Sequence, residues 1–260
     1  MGLPLSFLLP GNERAEVEAL FKSQGQALGE FINPVNITLV RIGAELILID
    51  TGGGPDFMPT LGRLSDNLEA AGIKPEAITT VVFTHAHPDH MWGVIDPLDG
   101  GSLFVKARHI MSAVERDFWM KPGVEVGMPE GLQGLALGSQ RRLTTIASRI
   151  ETAKPGAEIT SGVTLIDTAG HTPGHVSVLV RSGTQQLLIG GDALSHPLLS
   201  FARPEWSWGP DLDREKATAT RKRTLDMLVT DKVALLGYHL PWPGLGSVER
   251  RDGAYRFVTG

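Results

Sequence analysis

The sequence predicts a layered α/β fold with its functional loops on one rim, and three observations carry that expectation. Short apolar runs rich in β-branched residues alternate with segments of helical periodicity. Clusters of Gly, His and Asp stand directly after several of the predicted strands. The 260 residues are 42% apolar and 20% charged, an ordinary globular balance, so a single domain over residues 1–260 is expected.

Residues 35–42 and 45–50 read as two strands with a turn at Gly43. The glycines after Thr51 break the second strand, and residues 57–71 carry apolar side chains at helical spacing. Residues 78–83 form a continuous β-branched run, the mark of a strand buried on both faces. A strand at 103–105, a helix around 107–119, a Gly/Pro-rich stretch at 121–134 and a helix within 135–152 follow. Residues 163–167, 176–181 and 186–189 read as strands. Residues 211–230 read as a helix with Arg221, Lys222 and Arg223 on its solvated face. Strands at 233–236 and 255–258 close the chain.

Composition removes several function classes. With no cysteine, any metal must be held by His and carboxylates. The 24 basic and 29 acidic residues leave a net charge of −5 with no basic stripe, so the expected partner is a small-molecule substrate and no nucleic acid. Residues 1–10 are apolar but lack a basic start and contain two prolines, so they do not read as an export signal. No run approaches the roughly 18 apolar residues of a membrane span. A cytoplasmic enzyme without a membrane partner is the expectation, with a homodimer left open.

The chemistry concentrates in Thr84-His-Ala-His-Pro-Asp-His90, Gly170-His171, Gly191-Asp192 and Tyr238-His239, each directly after a predicted strand. His85 and His87 are two apart, which suits an extended loop where both project the same way. Pro88 disfavours helix at His87 and can start one itself, so Asp89 and His90 open a helix and face a second direction. A lone His-x-His is as often a satisfied core pair as a ligand pair, whereas this run, followed by further signals after separate strands, points to metal.

These motifs resemble the His-x-His-x-Asp-His signature and the later ligands of the metallo-β-lactamase superfamily, in order and over nearly the whole chain. The resemblance implies a four-layer αβ/βα sandwich. It implies two divalent metal ions, zinc by default with Mn, Co or Fe also accepted. His85, His87 and His171 would hold one ion and Asp89, His90 and His239 the other, with Asp192 bridging. Asp89 and Asp192 are the catalytic carboxylates on this reading, which has a metal-bridging hydroxide attack the substrate. Within the superfamily the chain looks most like methyl parathion hydrolase and acylhomoserine lactonase relatives. Ser195 stands where those lactonases place a tyrosine. The implied activity is hydrolysis of ester, lactone or phosphotriester bonds in neutral, moderately apolar substrates. A glyoxalase II-like thioesterase and a non-hydrolytic redox or metal-binding member are the alternatives.

Asp50, at the end of an apolar strand beside a glycine turn, is either an orienting carboxylate behind a ligand or a simple turn residue. Phe118, Trp119, Phe201, Trp206 and Trp208 are placed in loops or beside one, and form a substrate pocket or a cluster that pins the loops. His109 and His196 are expected at the surface or in the pocket. His175 is expected to begin the next strand.

Overall fold

Burial, more than propensity, decides which apolar runs become strands. The computed structural model describes residues 2–3, 8–9, 11, 14–25 and 31–260. Its backbone gathers into two compact units, Ile37–Asp167 with Pro173–Val180, and Met1–Asn36 with Thr168–Thr172 and Arg181–Gly260. Much of the 1–10 stretch lies outside the described residues. Strands β1 (Gly2–Leu3) and β2 (Phe31–Ile32) pair antiparallel, and a helix not anticipated from the sequence spans Arg14–Ser23.

In the unit beginning at Ile37, β3 (Thr38–Ile42) and β4 (Glu45–Ile49) form the expected hairpin around Gly43, whose φ is +58°. The strands β5 (Thr80–Val82), β6 (Arg108–Ser112) and β7 (Ile150–Ala153) then join β4 in parallel. Parallel neighbours need crossovers, and helices supply them. Buried Leu48, Val81, Phe83, Met111, Leu143 and Ile146 belong to one apolar cluster. In the same unit β8 (Glu158–Thr160), β9 (Val163–Asp167) and the start of β10 (Val176–Ser182) pair antiparallel.

The helix expected over 57–71 is two, Gly54–Phe57 and Leu64–Ala70. Gly62 between them adopts φ +89° and lies against Pro55, where an added Cβ would sit 2.9 Å from the proline. The strand expected at 103–105 does not form, because Val105 is exposed while His109 and Ile110 are buried and pair with β5 instead. The helix expected around 107–119 therefore begins only at Ala113. The next helix runs Glu130–Ile146, and the end of the predicted segment becomes β7.

In the other unit β11 (Gln185–Ile189) pairs parallel with β12 (Ala234–Leu236), and the helix Arg214–Thr230 is their crossover. Next to β12 come β13 (Leu245–Arg251) and β14 (Ala254–Thr259), both antiparallel. The charged β13 gave no strand signal in the sequence; pairing on both sides makes it one. A second apolar cluster holds Leu8, Leu9, Val17, Leu20, Phe21, Leu199 and Trp208. Among the described residues no helix is long and apolar enough to cross a membrane.

Candidate metal centre

The parallel strands β4, β5 and β6 bring Asp50, the His85–His90 segment and Glu115 to their carboxyl ends, the edge where α/β sheets carry ligands. Asp50 follows β4 with φ +60°, a left-handed conformation unusual for a side chain other than glycine. Its carboxylate holds that position by accepting three hydrogen bonds. Thr84 N donates at 2.8 Å, Thr84 Oγ1 at 2.7 Å and His90 Nδ1 at 2.8 Å. Burial pushes the Asp50 carboxyl up, and His90 and Thr84 oppose that rise.

Because Thr84 Oγ1 gives its proton to Asp50, its lone pair is free to accept from His85 Nδ1 at 3.0 Å. Both His85 and His90 thus carry their proton on Nδ1, which makes Nε2 the donor atom for a metal. His87 precedes a short helix, Pro88–Met91, in extended conformation, as the proline implies. The His85 ring lies 4.6 Å from that of His87 and 4.0 Å from that of His90. Asp89 Oδ2 is 3.7 Å from His90 Nε2.

In the other unit Ile189 of β11 pairs with Leu236 of β12. Asp192 and His239 stand three residues beyond these partners, so the two parallel strands deliver them to one end. His171 joins them through the loop at Gly170, whose backbone lies against the start of the helix Arg214–Thr230. A Cβ on Gly170 would sit 2.3 Å from Ala217 N, and its φ is +136°. Asp192 turns one oxygen to each histidine: Oδ2 is 3.3 Å from His171 Nε2 and Oδ1 is 3.3 Å from His239 Nε2.

The far side of each ring is held. His171 Nδ1 donates to Asp211 Oδ1 at 2.8 Å, and His239 Nδ1 donates to the carbonyl of Pro34 at 2.7 Å. With the proton on Nδ1, an Nε2 lone pair faces a carboxylate oxygen, and a cation is needed there. Two ligand atoms of a tetrahedral zinc, each about 2.0–2.1 Å from the ion, stand about 3.3 Å apart. The donor set therefore fits a divalent metal.

Three buried groups of this arrangement have no sequence motif. Asp211, forty residues from His171, is paired through Oδ2 to Arg221 at 2.8 Å. Arg221, expected on the solvated face, is 4% exposed and also donates to the carbonyls of Pro204 and Trp206. Glu115 is fully buried; its spacing of four from Trp119 on one helix was the available signal.

The five aromatics separate. Trp119 is buried in the apolar cluster of its unit, 5.3 Å from Phe118 and edge-on to His87 at 5.6 Å. Phe201 is buried against Phe257, Trp208 belongs to the other cluster, and Trp206 packs on that cluster. Phe118 and Trp119 end the helix Ala113–Trp119, and Phe201 lies in the helix Leu199–Ala202, not in a loop.

His109 and His196 are also buried, not at the surface. Burial lowers His109 to about 4 and His196 to about 3. His196 Nδ1 accepts from Leu198 N and Leu199 N, fixing the start of the helix Leu199–Ala202. His175 precedes β10 as expected, its ring 5.0 Å from His85.

A family model described as the metallo-beta-lactamase superfamily matches residues 32–239. Among solved structures the chain is similar to AidC, a dizinc quorum-quenching lactonase in complex with a product. The identity is 29% and the TM-score 0.92, with 98% of this chain and 89% of that one covered. AbOPH, a hydrolase in the beta lactamase superfamily, is 31% identical with a TM-score of 0.86, covering 97% of this chain and 88% of that one. In sequence, the Bacillus subtilis (strain 168) protein YobT is 32% identical over 162 residues, 62% of this chain and 62% of that protein. A probable metallo-hydrolase of Mycobacterium bovis is 25% identical over 178 residues, 62% of this chain and 57% of that protein. The chain thus spans less than two thirds of the length of these two sequence relatives.

Proposed function

Because the chain belongs to the metallo-beta-lactamase superfamily, we propose that it is a dinuclear metal-dependent hydrolase of neutral, moderately apolar lactones and esters. Its fold is the α/β sandwich of that family, with two sheets and helices. His85, His87 and His171 would hold one divalent ion and Asp89, His90 and His239 the other, with Asp192 shared. The observation that carries this reading is Asp192, which offers one oxygen to His171 and the other to His239 at the same 3.3 Å. Zinc is the default for such His and carboxylate donors, and Mn, Co or Fe suit them too.

Bound there, the ions supply Lewis-acid activation of water and of the scissile carbonyl or phosphoryl oxygen. The chain's own groups do the positioning. Asp50, Thr84, Asp211 and the Pro34 carbonyl fix the tautomers of His90, His85, His171 and His239, so each presents Nε2. Ser195, where acylhomoserine lactonases place a tyrosine, donates its hydroxyl to the Asp192 carbonyl at 3.0 Å. That hydroxyl is engaged in holding the Asp192 turn, and no acid role is assigned to it. Phe118, half-buried against the Trp119 indole that lies edge-on to His87, is assigned to the apolar part of the substrate.

Lactones come first because the AidC likeness extends over 98% of this chain; phosphotriesters are the second class to test. Gently purified protein should hold about two equivalents of metal. It should open an N-acylhomoserine lactone faster than it cleaves p-nitrophenyl esters or methyl parathion. Chelation should abolish all three rates, and zinc should restore them. Turnover that survives exhaustive chelation would overturn the proposal. Methyl parathion as the fastest substrate would move the assignment to phosphotriesters.

A further inference from the structure

We propose that Glu115 is a positioning residue that sets the direction of the His85 and His87 side chains, an inference that rests on the metal reading above. Glu115 lies in the short helix Ala113–Trp119 after β6 and is fully buried. Its Oε1 accepts from Ala86 N at 3.0 Å and from Trp119 Nε1 at 2.7 Å. Its Oε2 accepts from Gly174 N at 3.0 Å.

Ala86 is the residue between His85 and His87. In extended backbone, residues two apart point to the same side, and a bond to the peptide N–H between them fixes the plane from which both side chains project. The bond to Trp119 acts on the same pair from another direction. It holds the indole edge-on to the His87 ring, at 5.6 Å and 78° between planes. The third bond reaches the loop that leads into His175, whose ring is 5.0 Å from His85.

The approach at Gly174 is too close for any side chain. A Cβ there would lie 2.1 Å from Glu115 N and 2.6 Å from Glu115 Cα. One carboxylate thereby joins three segments, and its chemistry suits the role. An ionised carboxylate is acceptor-only and takes bonds on both oxygens. The amide of glutamine has one oxygen, so its NH2 would face an N–H donor.

The test is zinc affinity, measured by chelator competition on Glu115→Gln and Glu115→Asp at a temperature where both are folded. Asp keeps the charge but draws it back by one methylene, so it cannot reach all three donors. Both variants should bind zinc about 10- to 100-fold more weakly than the wild type, the usual range when the partner behind a ligand is lost. The d–d absorption of the cobalt-substituted proteins should shift as well. A merely structural role would lower the melting temperature of the metal-free protein and leave zinc affinity and the cobalt spectrum unchanged, and that result would overturn the inference. If the wild type itself takes up no zinc, the metal reading fails. If the wild type binds and both variants bind equally well, only the role of Glu115 fails.

Discussion

Asp192 follows the buried end of β11, turns on Gly191 at φ +53°, and commits each carboxylate oxygen to a different histidine. Removing it would take from the proposed metal centre the one carboxylate that both imidazoles face. Asp192→Ala is therefore expected to lower kcat by about 1000-fold or more, about 4 kcal/mol of lost charge stabilisation. Its circular dichroism should remain that of a folded protein. An unchanged kcat in a folded variant would sink the shared-ligand assignment. The candidate ligands were readable because His and Asp in glycine-flanked clusters after strands are chemically conspicuous. Their outer partners were not. Asp211 and Glu115 look like ordinary helix-flanking acids until the fold places them behind His171 and beneath Ala86.

At the scale of elements, the helix Arg214–Thr230 shows how a correct helix can carry a wrong face. Its buried positions are Ala217, Thr220, Arg221, Thr224, Leu225 and Leu228, the three-and-four spacing of one stripe. Arg221 stands four after Ala217, so the stripe itself contained the answer, whereas the triplet Arg221, Lys222, Arg223 suggested water. Its charge is tolerated because Asp211 and two carbonyls receive its protons. Breaking a buried pair from one side costs about 3–5 kcal/mol, so Arg221→Ala should destabilise by about that amount in urea unfolding. Lys222→Ala, on the exposed side, should change stability by less than about 0.5 kcal/mol. Equal, small effects of both would mean that Arg221 is solvated after all. A similar lesson holds for β6, where burial of His109–Met111 overrode the helical reading of that segment.

For the whole molecule, two neutral buried histidines set an acid limit, one in each unit. His109 titrates at about 4 and His196 at about 3 in the folded state, against about 6.5 when unfolded. Between those values the unfolded chain takes up protons that the folded chain refuses. Stability is therefore fully present above pH about 6.5 and falls as pH drops towards 4, by up to about 1.4 kcal/mol per pH unit for each histidine. His196→Gln removes one of the two, so its stability should fall less steeply between pH 6 and 4. The same slope as the wild type would show that His196 is protonated in the fold.

The sequence by itself determined the α/β class, most of the strands and the seven candidate ligands. Strand periodicity and rare donor types are local signals, written in consecutive residues. Only the tertiary structure decided which charges are buried, where β6 and β13 lie, and that Phe201 and Trp208 pack within an apolar core. Those outcomes depend on pairing and burial between residues far apart in the chain. No local pattern encodes that Asp211 will meet His171 across forty residues, or that Glu115 will accept the N–H of Ala86.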